Sequence, residues 1–435
     1  MMQITHRRVL HVAVPIVLSN VTVPLLGLVN TGVIGQLGQA APIGAVGLGA
    51  VILVSFYWVF GFLRMGTTGL VAQAYGQGNR REVSAALMRA LLIALLAGVG
   101  LIVLQGPLFW GAFQLAPASA QVETLARSYL AIRIWGAPAT IALYALTGWL
   151  IALERTRAVL MLQLWMNGLN VVLDLWFVLG LGWGVPGVAA ATLIAEYAGL
   201  GLALWFARGA FAARPAVAEV FDRLRLLRMA RVNTDIMIRS VLLQGCFVAF
   251  LFLGAGEGDI DLAANQLLLQ FLEITAYVLD GFAFAAETLV GQAVGGRDPH
   301  GVRRASIMAG GWGLGGAVVL CLAFLLAGPM VIDLMTTAPE VRIAARDYLP
   351  WLWFVPLIGL AGWMYDGIFV GATLTREMRN AAIFSVAVYA VVVSITLPLF
   401  GNHGLWAALM ALYVARGISM ARLYPRAERA AEAGH

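Results

Sequence analysis

The chain has 435 residues, of which 61% are hydrophobic and only 11% charged, with a mean hydropathy of +0.87. A soluble domain carries about 25% charged residues, so the composition excludes a soluble globular protein and indicates a polytopic membrane protein. The net charge of +6 and isoelectric point near 9.6 come from 28 basic residues, all arginine, most of them placed in short loops between apolar runs. That placement reads as membrane topology, not as a nucleic-acid footprint.

Apolar runs long enough for a spanning helix, about 20 residues, occur twelve times: 9–35, 43–70, 85–113, 122–153, 157–181, 185–208, 231–254, 261–294, 302–330, 340–371, 376–400 and 402–424. The first follows basic residues, as a signal peptide would, but has no small-residue cleavage site and runs past a typical signal core, so it is read as a spanning helix. Pro15 and Pro24 lie within it and are expected to kink it. With a cytoplasmic N-terminus, Arg80, Arg81, Arg155, Arg157, the stretch 208–231, Arg297–Arg304, Arg376, Arg379 and the arginines of the C-terminal tail all fall inside. The connections 36–42, 182–186 and 254–261 carry no arginine and fall outside. Both termini are therefore expected in the cytoplasm.

The sequence repeats itself. VAQAYGQGNRREV from Val71 aligns with VGQAVGGRDPHGV from Val290 at an offset of 219, pairing Gln73 with Gln292 and Gly76 with Gly295. The same offset pairs Arg127 with Arg346, Tyr129 with Tyr348, Gly148 with Gly367 and Arg157 with Arg376. The expected fold is all-α and integral to the membrane: two six-helix lobes related by a pseudo-two-fold axis along the membrane normal. The lobes would cover residues 1–208 and 231–435, joined by a basic cytoplasmic linker at 209–230. Parallel repeats of this kind place a cavity near the midplane between the lobes, reached alternately from either side, which is the design of a secondary transporter. A Walker A motif ends in lysine and serine or threonine, and a chain with no lysine cannot contain one. Neither an Asp-rich prenyl-transfer motif nor clustered histidine is present, so a membrane-embedded transferase is the least favoured class. Cys246 and Cys321 lie in apolar runs without companions and are read as packing residues. No cofactor or dedicated metal site is expected.

Polar side chains inside the apolar runs carry the chemistry. Asn170 and Asp174 lie four apart, on one helix face. An aspartate at a helix centre costs roughly 2.5–3.5 kcal/mol on insertion, so it is expected to meet water, a partner or an ion. Glu196 is either part of the same interior or the partner of an intramembrane arginine, Arg64 or Arg133. On the eighth run Gln266, Glu273, Asp280 and Glu287 recur every seven residues and form one polar stripe. Glu273 and Asp280 are its deep members, suited to a cationic substrate or a second coupling ion, unless Arg239 or a neighbouring helix satisfies them. Asp366 falls near mid-membrane on the tenth run, about 15 Å of helix from Arg376.

The segments Pro15–Gly38, Phe62–Gly76, Asn170–Gly182, Gly187–Gly199 and Tyr277–Gly295 resemble the multidrug and toxic compound extrusion (MATE) family, and within it the DinF branch. The resemblance covers nearly the whole chain. It implies twelve helices in two lobes and antiport that expels organic, often cationic, compounds against H⁺ or Na⁺. It also implies a cation site in the first lobe, built from a first-helix aspartate, the Asn170/Asp174 pair and the hydroxyl of Thr192. This chain departs from the pattern by reading LVNTGVIG, with Asn30 where the aspartate is expected. An amide oxygen can still coordinate a cation, but asparagine cannot exchange a proton.

The combined reading is a bacterial inner-membrane antiporter, acting as a monomer on small organic substrates, with Asp174, Asn170, Thr192 and Asn30 at the coupling site. Na⁺ is a possible occupant of Asp174 and Asn170. Glu273, Asp280, Gln266, Asp366 and Glu196 are the candidate substrate-binding polar set. Two alternatives stay open: a flippase for lipid-linked precursors, which would need arginines such as Arg64, Arg133 and Arg239 for pyrophosphate, and an uncoupled facilitator if Asn30 abolishes coupling.

Overall fold

The computed structural model describes residues 4–36, 40–115, 119–213 and 215–433. Its framework is twelve helical spans. The first six are α1 (His6–Gly35), α2 (Ala40–Val59 continuing as Phe62–Gly76), α3 (Arg80–Val103 and Gln105–Leu115), α4 (Ala120–Arg133 and Ala137–Ala152), α5 (Thr156–Asp174) and α6 (Gly184–Phe206). The second six are α7 (Arg223–Ala255), α8 (Asp259–Gly295), α9 (Pro299–Met335), α10 (Pro339–Trp353 and Val355–Gly371), α11 (Thr375–Phe400) and α12 (Asn402–Leu423). Among the described residues ten helices are long and apolar enough to cross a membrane. The two segments of α10, bent by 51°, supply an eleventh, and α1, with 30 residues, is the twelfth. The chain is a multi-pass membrane protein. α1 runs unbroken through Pro15 and Pro24.

The duplication is visible in the backbone. Left-handed residues recur at the same offset of 219: Gly78 and Arg297, Glu154 and Thr373, Gly182 and Gly401. The turns after α4 and α10 repeat their hydrogen bonds, Arg155 N–H to Leu150 O at 2.8 Å and Leu374 N–H to Phe369 O at 2.8 Å. Helix caps repeat as well. The Asn79 side chain accepts from Glu82 N–H at 3.1 Å, and that of Asp298 from Gly301 N–H at 2.8 Å. α4 and α10 are interrupted at matching places, by a 3₁₀ turn at Ile134–Gly136 and at Phe354, each followed by a proline at the start of the next segment. Proline lacks the N–H and fits only the first turn of a helix, so Pro138 and Pro356 restart the helices they could not continue.

By packing, the chain forms two compact units: Met1–Val17 with Ala72–Gly78 and Ala230–His435, and Leu18–Val71 with Asn79–Met229. The core of the first unit is built on Phe250, Phe271, Trp406 and Leu409, with Cys246 among the packing residues. That of the second is built on Ile34, Tyr129, Leu130, Ile134 and Val188. In the first unit the two copies of the repeated motif meet. A Cβ added at Gly76 would lie 2.0 Å from the carbonyl oxygen of Gln292, and one at Gly295 2.0 Å from that of Gln73. The contact is therefore self-complementary, as a two-fold axis requires.

In the second unit the stretch between α6 and α7 is tied down. It contains helices Arg208–Ala212 and Val217–Val220, after which α7 begins. Arg89, only 3% exposed, donates to the carbonyls of Val220 and Glu219 at 3.1 and 3.0 Å and forks onto both oxygens of Glu82. Glu82 also pairs with Arg225. Buried arginine is tolerated because its five donors are nearly all used.

Candidate functional site

In the second unit Asn170 and Asp174 are 1% and 0% exposed. The Asn170 amide donates to Thr192 Oγ1 at 3.0 Å, and that hydroxyl donates to Val188 O at 3.0 Å, so Asn170 on α5 and Thr192 on α6 are brought together, with Asp174 one helical turn beyond Asn170. Asp174 is the last α-helical residue of α5, which continues as a π-helical turn, Leu175–Gly180. Such turns are rare and concentrate at functional sites. Here the chain reverses tightly, with Gly182 and Gly184 in the left-handed region and Trp183 N–H on Phe177 O.

Thr22 O on α1 accepts from Asn167 Nδ2 at 3.2 Å, and Asn167 in turn accepts from Gln163 at 2.9 Å. α1 and α5, the first and fifth spans, run in the same direction. From this contact Asn30 lies about 12 Å on and Asp174 about 10 Å on, so the backbone of Asn30 is level with Asp174. The Asn30 side chain lies outside the described residues.

Glu196 is taken up by an arginine, the other role open to it. Arg133 Nη1 and Nη2 donate to its two oxygens at 2.7 and 2.9 Å, a fork-to-fork pair in which both side chains are about one-tenth exposed. Tyr57 donates to the Arg133 carbonyl at 3.3 Å. Bidentate geometry is what makes such a pair strong.

In the first unit Asp366 (α10) is clamped through Oδ2 by two guanidiniums, Arg239 (α7) and Arg416 (α12). The α8 stripe changes character along its length: Gln266 and Glu273 are exposed, Asp280 is half-buried and Glu287 is 1% exposed. Helix α8 packs on α10 in parallel register. A Cβ on Gly367 would lie 2.1 Å from Ala283 O, and one on Gly371 2.3 Å from Glu287 O. Asp280 therefore sits within a turn of the level of Asp366.

The MatE family profile matches residues 15–176 and 236–396, one copy in each half, taking in Asn170, Asp174, Glu273, Asp280 and Asp366. The chain belongs to the MATE family. It is 41% identical over 422 residues to the DNA damage-inducible protein F of Escherichia coli, covering 96% of this chain and 91% of that one. It is 29% identical over 332 residues to a probable multidrug resistance protein NorM of Synechocystis, covering 71% of this chain and 68% of that one. A crystal structure of MATE in the straight conformation superposes with a TM-score of 0.86 at 18% identity, over 98% of this chain and 96% of that one.

Two features of this MATE chain escaped the reading of its sequence. Arg416 was visible as an arginine inside the last apolar run, yet nothing in the sequence tied it to Asp366, 50 residues away. Beside the stripe, Asn265 is fully buried and exchanges amide hydrogen bonds with Asn402 at 2.6 and 2.9 Å, while Trp406 Nε1 donates to Asn265 Oδ1 at 2.9 Å. This closed network satisfies itself and is structural. Its sequence signal was an asparagine one residue off the exposed stripe, on the side facing the core.

Proposed function

We propose that this MATE protein is a secondary antiporter of the bacterial inner membrane, with both termini cytoplasmic. It expels amphipathic, cationic organic compounds by alternating access in exchange for H⁺ or Na⁺. The observation that supports this best is Asp174: a carboxyl wholly buried in a spanning helix, one turn from an asparagine that is tied to Thr192. Carboxylates in such positions mark ion paths. With asparagine at position 30, Asp174 supplies the one proton-exchanging group of this set, and the oxygens of Asn170 and Thr192 suit a hard cation.

The flippase alternative needs arginines available to a pyrophosphate. Of Arg64, Arg133 and Arg239, two are engaged by carboxylates, Arg133 by Glu196 and Arg239 by Asp366, which favours the antiporter.

The test is efflux of ethidium from proteoliposomes under an imposed pH gradient and, separately, a Na⁺ gradient. The parent should respond to one of them, and Asp174→Asn, which keeps the size of the side chain, should lose about ten-fold or more of the gradient-driven rate. Efflux that responds to neither gradient would replace the antiporter with an uncoupled carrier.

A further inference from the structure

We infer that Glu273 is the carboxylate that receives the positive centre of the cargo, and that the ion triad on α7, α10 and α12 removes Asp366 and Asp280 from that role. The inference rests on the transport reading above and assigns its specificity to one residue.

Charge balance carries the argument. Arg239 and Arg416 share the single oxygen Oδ2 of Asp366 in a buried setting, Asp366 and Arg416 each being 6% exposed, so two guanidiniums already hold this one carboxylate. An uncompensated buried charge is strongly unfavourable. The parallel register of α8 on α10 brings Asp280 to the level of the triad, and Asp280 acts electrostatically on Arg416. Asp366 is held by two guanidiniums and Asp280 lies in the field of one of them, so both aspartates are already engaged by arginine.

Glu273 is differently placed. It lies seven residues from Asp280, about 10 Å along α8 and out of the triad's reach. It is exposed, and among the described residues no arginine pairs with it. A carboxylate near the centre of a 37-residue spanning helix cannot face hydrocarbon at acceptable cost, so it faces water or cargo. Tyr277, one turn further and half-buried, stands between Glu273 and Asp280 and interacts electrostatically with both. Its ring adds a face to which an organic cation is attracted. One uncompensated carboxylate suits one positive charge. The site should therefore favour monocations over dications of the same skeleton.

Ethidium, a monocation, and propidium, its dicationic analogue, test this by fluorescence titration of the purified full-length protein in detergent. Glu273→Gln should weaken ethidium binding about ten-fold or more, with an unchanged melting temperature because the side chain is exposed. Glu273→Asp should restore part of the affinity. The parent should hold ethidium more tightly than propidium. Ethidium binding by Glu273→Gln equal to the parent's would overturn the assignment while leaving the transport reading intact, as would propidium bound as tightly as ethidium or more tightly. A parent that neither binds nor expels either dye would remove the transport reading and this inference with it.

Discussion

Gly76→Ala and Gly295→Ala should each lower the melting temperature of the solubilised protein sharply, and the double variant should lose less than the sum of the two. At both positions the incoming Cβ would lie 2.0 Å from a main-chain carbonyl oxygen, of Gln292 and of Gln73 respectively. No side-chain rotation relieves such a contact; the helices must separate. Overpacking typically costs about 1–3 kcal/mol, and more where backbone must move. The two clashes oppose each other across one self-complementary contact, so the separation that accommodates one methyl accommodates the other, and neighbouring sites that share a backbone shift are not additive. A second cost arises in the same place. Gln73 Nε2 donates to Gly371 O at 2.9 Å and to Thr373 Oγ1 at 3.2 Å, holding a β-branched residue at φ 52°. That conformation persists only when its surroundings impose it. Additive losses in thermal unfolding of the four proteins would mean that the motif copies do not share one contact.

The paired motifs also show what a sequence can and cannot disclose here. Hydropathy marked all twelve spans because lipid forces every backbone group into a helix, and the 219-residue offset marked the duplication. That the two copies touch was not legible, since repetition records ancestry and not distance. The chemistry follows a different rule from the scaffold. Asn170 and Asp174 correspond to Tyr389 and Val393, Asn30 to Ala249, Asp366 to Thr147, Arg416 to Tyr197, Glu273 to Val54 and Asp280 to Gly61. Turns, caps and close-packed glycines were kept in both halves while every buried or stripe charge is particular to one. The placing of Asn170 and Asp174 on one helix face was legible from their spacing of four, and the Asn170–Thr192 contact from the family resemblance. The Asp366 triad was not, because its members lie on three helices and only the folded chain pairs them. The π-helical turn after Asp174 left no composition signal either: the residues LWFVLG suit an α-helix equally well.

Removing one member of the Arg133–Glu196 pair should be among the most damaging single changes in the second unit, and removing both should be tolerated far better. Arg133→Met would leave the Glu196 carboxylate buried without its fork, and Glu196→Leu would strand a guanidinium that is 7% exposed. Breaking a buried pair in this way costs about 3–5 kcal/mol, whereas an apolar replacement of both partners is often neutral, because the desolvation penalty of both charges vanishes together. The melting temperatures should therefore fall for each single variant and recover most of the loss in Arg133→Met/Glu196→Leu. The same double variant settles what Glu196 is for. A residue that only anchors α6 to α4 can be replaced in this way with gradient-driven ethidium efflux retained, because Asp174, Asn170 and Thr192 are untouched. A double variant that is as stable as the parent but inactive would instead place Glu196 on the transport path, with Arg133 as the group that holds its charge until an ion or cargo takes over.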